Sequence, residues 1–562
     1  MSAPQLAGTP VLILKEGSNR SRGRDALHAN VMAAQIVAEA VSSTLGPKGM
    51  DKMLVDSLGD ITITSDGRTV LDKMDIQHPA AKIMVEVAKT QDDVVGDGTT
   101  TAVVIAGELL RKAEDLLDQK IHPTLIIKGY KEAAEAALKV LDETAIPAEP
   151  SKEELMKAVA RTSLYSKIVS REREHFAKIA VQAIQQITEE QGGKVNVDID
   201  RVQIQKKEGK SIGETTLLKG LIIGKEAAST GTCPTCAGNV CEIGSTSKSV
   251  KDAKIALINH ALEIKKTEFD AKIQIRDPTK MKLFMDKEHD MLREIVQKIL
   301  DAGANVVFCQ KGIDDLAQHF LDRHGVYTVR NLKEEDMEKL SKATGAKIVT
   351  RIHDIEPADL GYAATVEERE VGDEKMTFVE GCKNPKSVCV FIRGGAKHVV
   401  DEAERALHDA LCVVRNVVQD PRIVAGGGAP EVELARKLRK YASGIGGKEQ
   451  LAINAFAEAL EKIPTTLAEN AGLEPIDVIV ELRKNHEEGR LWSGVNIPSR
   501  KVEDMEEAQV YEPLRVVGYA ITSATEAATM ILRIDDVIAS SKSPAEAPTG
   551  ASTGIPGTSP YT

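Results

Sequence analysis

Gly96, Asp97, Gly98, Thr99, Thr100 and Thr101 stand between an acidic pair, Asp92 and Asp93, and the apolar run Ala102–Ile105. Glycine permits backbone angles and close approaches that a Cβ forbids. Free N–H groups at a helix start attract anions. The combination suits a loop that wraps a phosphate ahead of a helix. Asp97 would repel a bare phosphate. A divalent metal between them removes the conflict, since hard cations take carboxylate and phosphate oxygens together. The plainer reading is a glycine turn whose Asp97 or Thr99 caps an ordinary helix. Other segments share this chemistry. TLGPKGMDKMLVD (44–56) sets two glycines, a proline and Lys48 before a strand-like run ending at Asp56. SDGRTV (65–70) is a second Asp-Gly turn. LHDALCVVRN (407–416) carries Asp409 on an amphipathic helix, and the triple-glycine IVAGGGAPE (423–431) opens another. No Walker A pattern occurs, which excludes an ordinary P-loop enzyme.

The elements that must position these residues are mostly helices. Val31, Ala34, Ile36, Val37, Ala40 and Val41 fall at helical spacing within 25–45, residues 80–118 predict two more helices and 124–142 another. Pro147 and Pro150 break the pattern, and Ser151 with Glu154 predicts a capping box for the next helix. Short strands follow from about 195 (VNVDI, VQIQKK, KGLIIG). Between 253 and 383 strands such as AKIALIN, NVVFCQ, VYTVR and AKIVT alternate with helices, predicting an α/β unit. Helices return over 396–485, and the last strands are expected in GRLWSGVNIP and KVEDM; VLIL (11–14) reads as a strand. Phosphate-binding segments flank the α/β middle. The middle is therefore an insertion, and both ends fold into one nucleotide-binding unit.

At 562 residues the chain is too long for one core, and two to four domains are expected. Aromatics make up only 3%, so the cores must be built from Ala, Val, Ile and Leu, which suits helices in close contact. A net charge of −12 argues against nucleic acid as a general partner. No apolar run spans a membrane, and the first residues lack the basic region of a signal peptide. The seven cysteines, mostly scattered, point to a reducing, cytoplasmic compartment.

LGPKGMDK, GDGTT, AGGG and the late YEPLRV, ATEAA and RIDDVI segments, in this order, resemble the group II chaperonins, the thermosome-type ring ATPases. The resemblance runs from about residue 10 to about 540. It implies a multi-domain fold. A mostly α-helical equatorial ATPase domain would comprise 1–163 and 419–541. A small α/β intermediate domain would comprise 164–218 and 384–418. An α/β apical domain would span 219–383, with a helical protrusion at about 263–290. ATP and Mg²⁺ are the implied cofactors. Unfolded proteins and identical or homologous subunits in stacked rings are the implied partners. The implied activity is ATP-driven enclosure and folding of clients; the alternative is a ring-forming scaffold or holdase with little turnover.

Carried over residue by residue, the resemblance makes Asp97 the principal Mg²⁺ ligand. Gly98, Thr99, Thr100 and Thr101 would hold the phosphates, facing a wall of Leu45, Gly46 and Pro47, with Lys48 as a further phosphate neighbour. Gly427 would keep side chains out of the nucleotide's way. Asp409 takes the place of the acid that orients the attacking water, and Asp66 that of a second such acid, with Asp56 assisting. Asp66 lies where the family has an Asn-Asp-Gly-Ala-Thr turn, but Ser65 and Arg68 replace the Asn and Ala. Lys167, in RTSLYSKIVS, matches a lysine that reaches the γ-phosphate. Glu512 would meet the ribose hydroxyls, and Asn496, near Gly494, would border the base.

Residues 263–300 resemble the protrusion that closes group II chambers. Asp277 and Pro278 predict a helix start. Met281, Leu283, Phe284 and Met285 either lie exposed at its tip or pack within. Cys233, Cys236 and Cys241 look like an insertion relative to the family. Zinc, a redox disulfide and an ordinary loop all remain open for them. The tail after Ser540, rich in Pro, Gly, Ser and Thr, is expected to be disordered.

Overall fold

The structure, a computed structural model, describes residues 19–192, 194–228, 249–263, 278–372, 374–382 and 388–539. The expected strand at 11–14, the cysteine loop, Asp277 and the tail lie outside these residues, as do the side chains of Met281, Leu283, Phe284 and Met285.

A chain poor in aromatics fills its cores by bringing helices close. Among the described residues seven α-helices precede residue 190: α1 (Gly23–Ser42), α2 (Gly67–Lys73), α3 (Pro79–Val95), α4 (Thr99–Asp118), α5 (Pro123–Thr144), α6 (Glu153–Leu164) and α7 (Arg173–Ile187). A Cβ on Gly107 of α4 would come 2.3 Å from Ala38 Cβ of α1, so these two helices meet nearly backbone to backbone. Three helices fall in the middle of the chain: α8 (Pro278–Asp301), α9 (Asp315–Arg323) and α10 (Glu334–Thr344). Six belong to the last third: α11 (Lys397–Gln419), α12 (Ala429–Ser443), α13 (Glu449–Leu460), α14 (Lys462–Ala471), α15 (Pro475–Glu487) and α16 (Leu514–Leu532). No helix among the described residues is long and apolar enough to cross a membrane.

The largest core draws on both ends of the chain. Leu27 to Leu141 supply one part and Val424 to Leu532 the other. A second core joins α6 and α7 to strand Val388–Gly394 and α11. The middle is built on one sheet, ordered Tyr327–Val329, Val306–Cys309, Ser249–Ile258, Gly361–Val371, Glu374–Cys382 and Gly220–Ile223. Its first three strands are parallel, as alternation with helices requires. The later pairings along this order are antiparallel, with a tight turn through Gly372 (φ 66°) folding 361–382 into a hairpin, while a short strand, Ile348–Val349, also pairs parallel with Ser249–Ile258.

Several local expectations need correction. Ile36 is 58% exposed, while Val31, Ala34, Val37 and Val41 form the buried stripe of α1. The predicted capping box is absent: Lys152 precedes α6 and no side chain caps it. The helical first section also contains a hairpin, Lys52–Val55 against Ile61–Thr64. Asp56 serves its turn, accepting from the N–H groups of Leu58 and Asp60, each at 2.9 Å. Strands occur at Ser493–Asn496 and Lys501–Asp504 as expected, but two more follow. Tyr511–Pro513 pairs with Arg422–Ala425, and Asp536–Ala539 pairs with Asn19–Arg22.

Candidate functional site

The GDGTT segment is a hinge between two helices. α3 ends at Gly96 in the left-handed region (φ 75°), with its N–H on Gln91 O at 3.2 Å. A Cβ there would strike Cys412 of α11 at 2.2 Å. Gly98, also left-handed, stands at the N-cap of α4, and no side chain caps that helix. Asp97 accepts from Gly98 N–H at 2.7 Å. The helix-cap reading of Asp97 is thus wrong, and so is that of Thr99. The first-turn N–H groups of α4 are left for an outside acceptor. Side chains clamp the loop from behind. Gln91 Nε2 donates to Asp97 O at 2.9 Å, Asn416 Nδ2 to Val95 O at 2.8 Å and Arg415 Nη2 to Val94 O at 3.0 Å. These three positioning residues escaped the sequence reading, although Arg415 and Asn416 close the motif that carries Asp409.

A cavity of about 500 Å³ opens in front of this loop. Leu45, Gly46, Pro47, Asp97, Gly98 and Thr101 line one side, and Gly427, Asn496 and Glu512 line another. The structure therefore gathers nine of the predicted residues around one space. Thr99 and Thr100 are buried outside the lining: Thr99 Oγ1 donates to Asp66 at 3.2 Å, and Thr100 Oγ1 lies 3.5 Å from Thr44 Oγ1. Asn496 Nδ2 donates to Glu503 at 2.7 Å. Gly427 lines the cavity, and the backbone gives a further reason for glycine there. Its φ is 67°, and a Cβ would meet Val495 O at 2.9 Å. Lys48 faces a neighbouring cavity of about 380 Å³ with Arg171 and Arg173.

Asp409, Asp66 and Lys167 form a buried group outside the lining. α11 carries Asp409, which is 6% exposed. Lys167 Nζ donates to Asp409 Oδ2. Burial works against the Lys167 charge, but Asp409, Asp66 and Asp97 around it push its pKa up. Burial pushes Asp409 well above the ordinary carboxylate range, with Lys167 opposing and Asp66 and Asp97 adding to it. Asp66 caps α2, accepting from Arg68 N at 3.3 Å, Thr69 N at 2.9 Å and Thr69 Oγ1 at 2.7 Å. Burial would raise its pKa; Lys167 and these hydrogen bonds outweigh burial and hold it below the ordinary value. Arg68 reaches from this turn to Asp92 and Asp93 at the end of α3.

The sequence reading also missed Glu431 and Ser163, which line the cavity. Burial pushes Glu431 up to about 7, and burial with the nearby Glu431 and Asp97 pushes Glu512 to about 8. Glu431 closes the AGGGAPE motif, so its position was visible but its exposure to the cavity was not. Among the described residues no group of three or more His, Cys, Asp or Glu side chains is arranged to hold a metal by itself. A metal at Asp97 would need oxygens from its ligand, as a phosphate-bound cation does.

An uncapped helix start, a cavity in front of it and a buried group of Asp409, Lys167 and Asp66 behind it are brought together from the two ends of the chain. The sequence pattern of the TCP-1/cpn60 chaperonin family matches residues 37–542. The chain belongs to that family. It is 57% identical over 538 residues to a thermosome subunit of Pyrococcus horikoshii, covering 96% of this chain and 95% of the relative. It is 58% identical over 538 residues to the thermosome beta subunit of Thermococcus kodakarensis, covering 96% of each. A thermosome subunit of Methanopyrus kandleri is 55% identical over 532 residues, covering 95% of each. The resemblance read from the motifs is borne out.

Proposed function

We propose that this chain is an ATP-hydrolysing subunit of a stacked-ring group II chaperonin, which binds unfolded proteins and encloses them while they fold. One observation carries the ATPase reading. A buried Lys167–Asp409 pair, with Asp66 beside it, interacts electrostatically with Asp97 at the wall of a cavity that an uncapped helix start enters. The α4 N–H groups, Gly98 and Thr101 bind phosphate oxygens. Asp97 would hold Mg²⁺, which when bound would supply the positive charge that lets carboxylate and phosphates share a wall. Asp409, assisted by Asp66, orients the attacking water and takes its proton. Phosphoryl transfer asks mainly for such positioning and charge neutralisation. Lys167 now occupies Asp409. Its transfer to the phosphate frees the aspartate for water, so one movement binds the ligand and readies the acid.

The reading divides the chain into an equatorial part (1–163 and 419–541), an intermediate part (164–218 and 384–418) and an apical part (219–383). The large core shared by both ends supports the equatorial part, while the second core packs α6 of that part against α7 and α11 of the intermediate part and so spans the boundary between them. α11 leads from that second core to the clamp on Val94 and Val95, so a rotation of the intermediate part is felt at the Asp97 loop. Assembly is supported by the exposed hairpin: Met53 is 64%, Val55 63% and Leu58 87% exposed, an apolar edge that suits pairing with another subunit. The work is assigned to the cytoplasm.

Phosphate release by the purified full chain with Mg-ATP tests the reading, alongside negative-stain images with and without ATP. Rings that bind ATP, release phosphate and change shape support it. Rings without phosphate release make the protein a holdase or scaffold.

A further inference from the structure

Two carboxyls on the cavity wall lack partners. Glu431, on the first turn of α12, is 3% exposed, and Glu512 sits on strand Tyr511–Pro513 opposite Val424. Both line the cavity. The Glu431 carboxyl receives only its own backbone N–H, and Glu512 makes no hydrogen bond or ion pair among the described residues. The cations of the same wall are committed elsewhere. Arg161 donates to Glu174 at 3.1 Å and to Gln509 at 3.0 Å, and Arg173 stacks 4.3 Å over the Tyr165 ring. Ser163 Oγ is buried without a partner, and its residue lines the same cavity. Burying polar groups unpaired costs free energy, so this corner is built for a ligand that supplies donors. Adjacent acids reject a phosphate. They fit a neutral group with two neighbouring O–H donors.

We propose that Glu431 acts with Glu512 on the vicinal hydroxyls of a nucleotide's ribose, which makes Glu431 a specificity residue of the site. The proposal rests on the ATP reading above and adds Glu431 to it. The ribose diol gives one hydroxyl to each carboxyl, and the phosphates extend toward Asp97 and the start of α4.

The test compares full-length rings of the wild type and Glu431→Gln, with Mg²⁺ present. Affinities are measured for ATP, 2′-deoxy-ATP, 3′-deoxy-ATP and inorganic triphosphate. Leaving a buried carboxyl without its hydroxyl partner costs enough that the wild type should bind each deoxy analogue about tenfold or more weakly than ATP. Glu431→Gln keeps the shape of the side chain and should shrink the preference over at least one analogue to within about threefold. Inorganic triphosphate, which reaches only the phosphate wall, should bind both proteins alike within about twofold. The inference is overturned if the variant keeps the wild-type preference over both analogues. It is also overturned, whatever the variant does, if the wild type binds ATP and both deoxy analogues equally. A wild type that binds no nucleotide sinks the ATPase reading as well, so the two failures are told apart.

Discussion

The dipeptide Asp-Gly starts a helix twice in this protein, and the two aspartates do opposite things. Asp66 spends its carboxylate on α2, accepting from the N–H groups of Arg68 and Thr69 and from two threonine hydroxyls. Asp97 precedes α4 and leaves that helix uncapped, accepting instead from Gly98 N–H. The backbone explains the difference. Asp66 is itself the N-cap, in extended conformation (φ −72°, ψ 124°), which turns its side chain back over the first turn. Gly98 is the N-cap of α4, left-handed, and has no side chain to offer. The glycine after the aspartate is the first residue of α2 in one turn and the left-handed N-cap of α4 in the other, and that shift leaves the start of α4 open with an acid beside it. On the proposed reading the first aspartate is coupled to stability and the second to ligand.

The largest effect expected belongs to the acid that both turns surround. Asp409→Asn keeps a hydrogen-bond acceptor for the buried Lys167 and leaves Asp66 and Asp97 as its counter-charges, but it removes the proposed base. Turnover should fall about a hundredfold or more, with ATP affinity within a fewfold of the wild type. Turnover within threefold of wild type would remove Asp409 from the chemistry and leave the two turns as mere scaffolding.

Asp97→Ala should come next. Loss of the metal ligand should weaken Mg-ATP about tenfold to a hundredfold, while hydrogen exchange of the α4 amides in the ligand-free protein stays as it was, since no cap is lost. Unchanged Mg-ATP affinity in a titration would erase the distinction between the two aspartates.

The sequence made much of this legible because the chemistry lies in contiguous motifs. Asp97 and Thr101 stood out as an acid and a hydroxyl beside glycines, Gly46 and Gly427 followed from the resemblance, and the cavity gathers all four. The division of labour was not legible. Nothing in GDGTTT says that Thr99 bonds Asp66 while Thr101 faces the cavity; that follows from the helical turn of α4 and from the packing of Gly67 on Thr100, whose Oγ1 a Cβ would approach to 2.7 Å. The structural demand for glycine at Gly427 was not legible, because its neighbour Val495 is distant in sequence. Glu431 was missed since an acid in the first turn of a helix is usually a dipole-satisfying surface residue. At the level of fold, alternation revealed the sheet of the middle section, but the hairpin that makes half of it antiparallel depends on one tight turn.

Asp66→Ala should be milder in binding and sharper in structure. Losing a helix cap costs about 1 kcal/mol, so exchange at the Arg68 and Thr69 amides should quicken about fivefold. The folded protein holds Asp66 below the ordinary carboxylate value, so its contribution is present above that value and is lost as pH falls through the lowered one. The difference in α2 exchange between wild type and variant should therefore persist at neutral pH and vanish only in acid below the usual carboxylate range. A difference that disappears near pH 7 would mean that Asp66 does not cap α2 as a carboxylate.

The smallest effect is expected at Arg68, which joins the first turn to the approach of the second. Its guanidinium meets Asp92 and Asp93, one turn before Gly96, where the family's turn has Ala. The tie could be read as the device that sets the Asp97 loop. Its magnitude argues otherwise. The Arg68 side chain is 37% exposed and Asp93 is 65% exposed, so water screens that bridge, and such bridges are worth about 0–1 kcal/mol; Asp92, at 11%, is the more sheltered partner, but the guanidinium itself still reaches water. Gln91, Arg415 and Asn416 already hold the loop by bonds to its carbonyls. Arg68→Ala should therefore shift Mg-ATP affinity by less than about threefold, and the shift should shrink further at high salt. A loss of tenfold or more that persists in high salt would put Arg68 among the groups that touch phosphate. The first Asp-Gly turn would then belong to the ligand as much as the second.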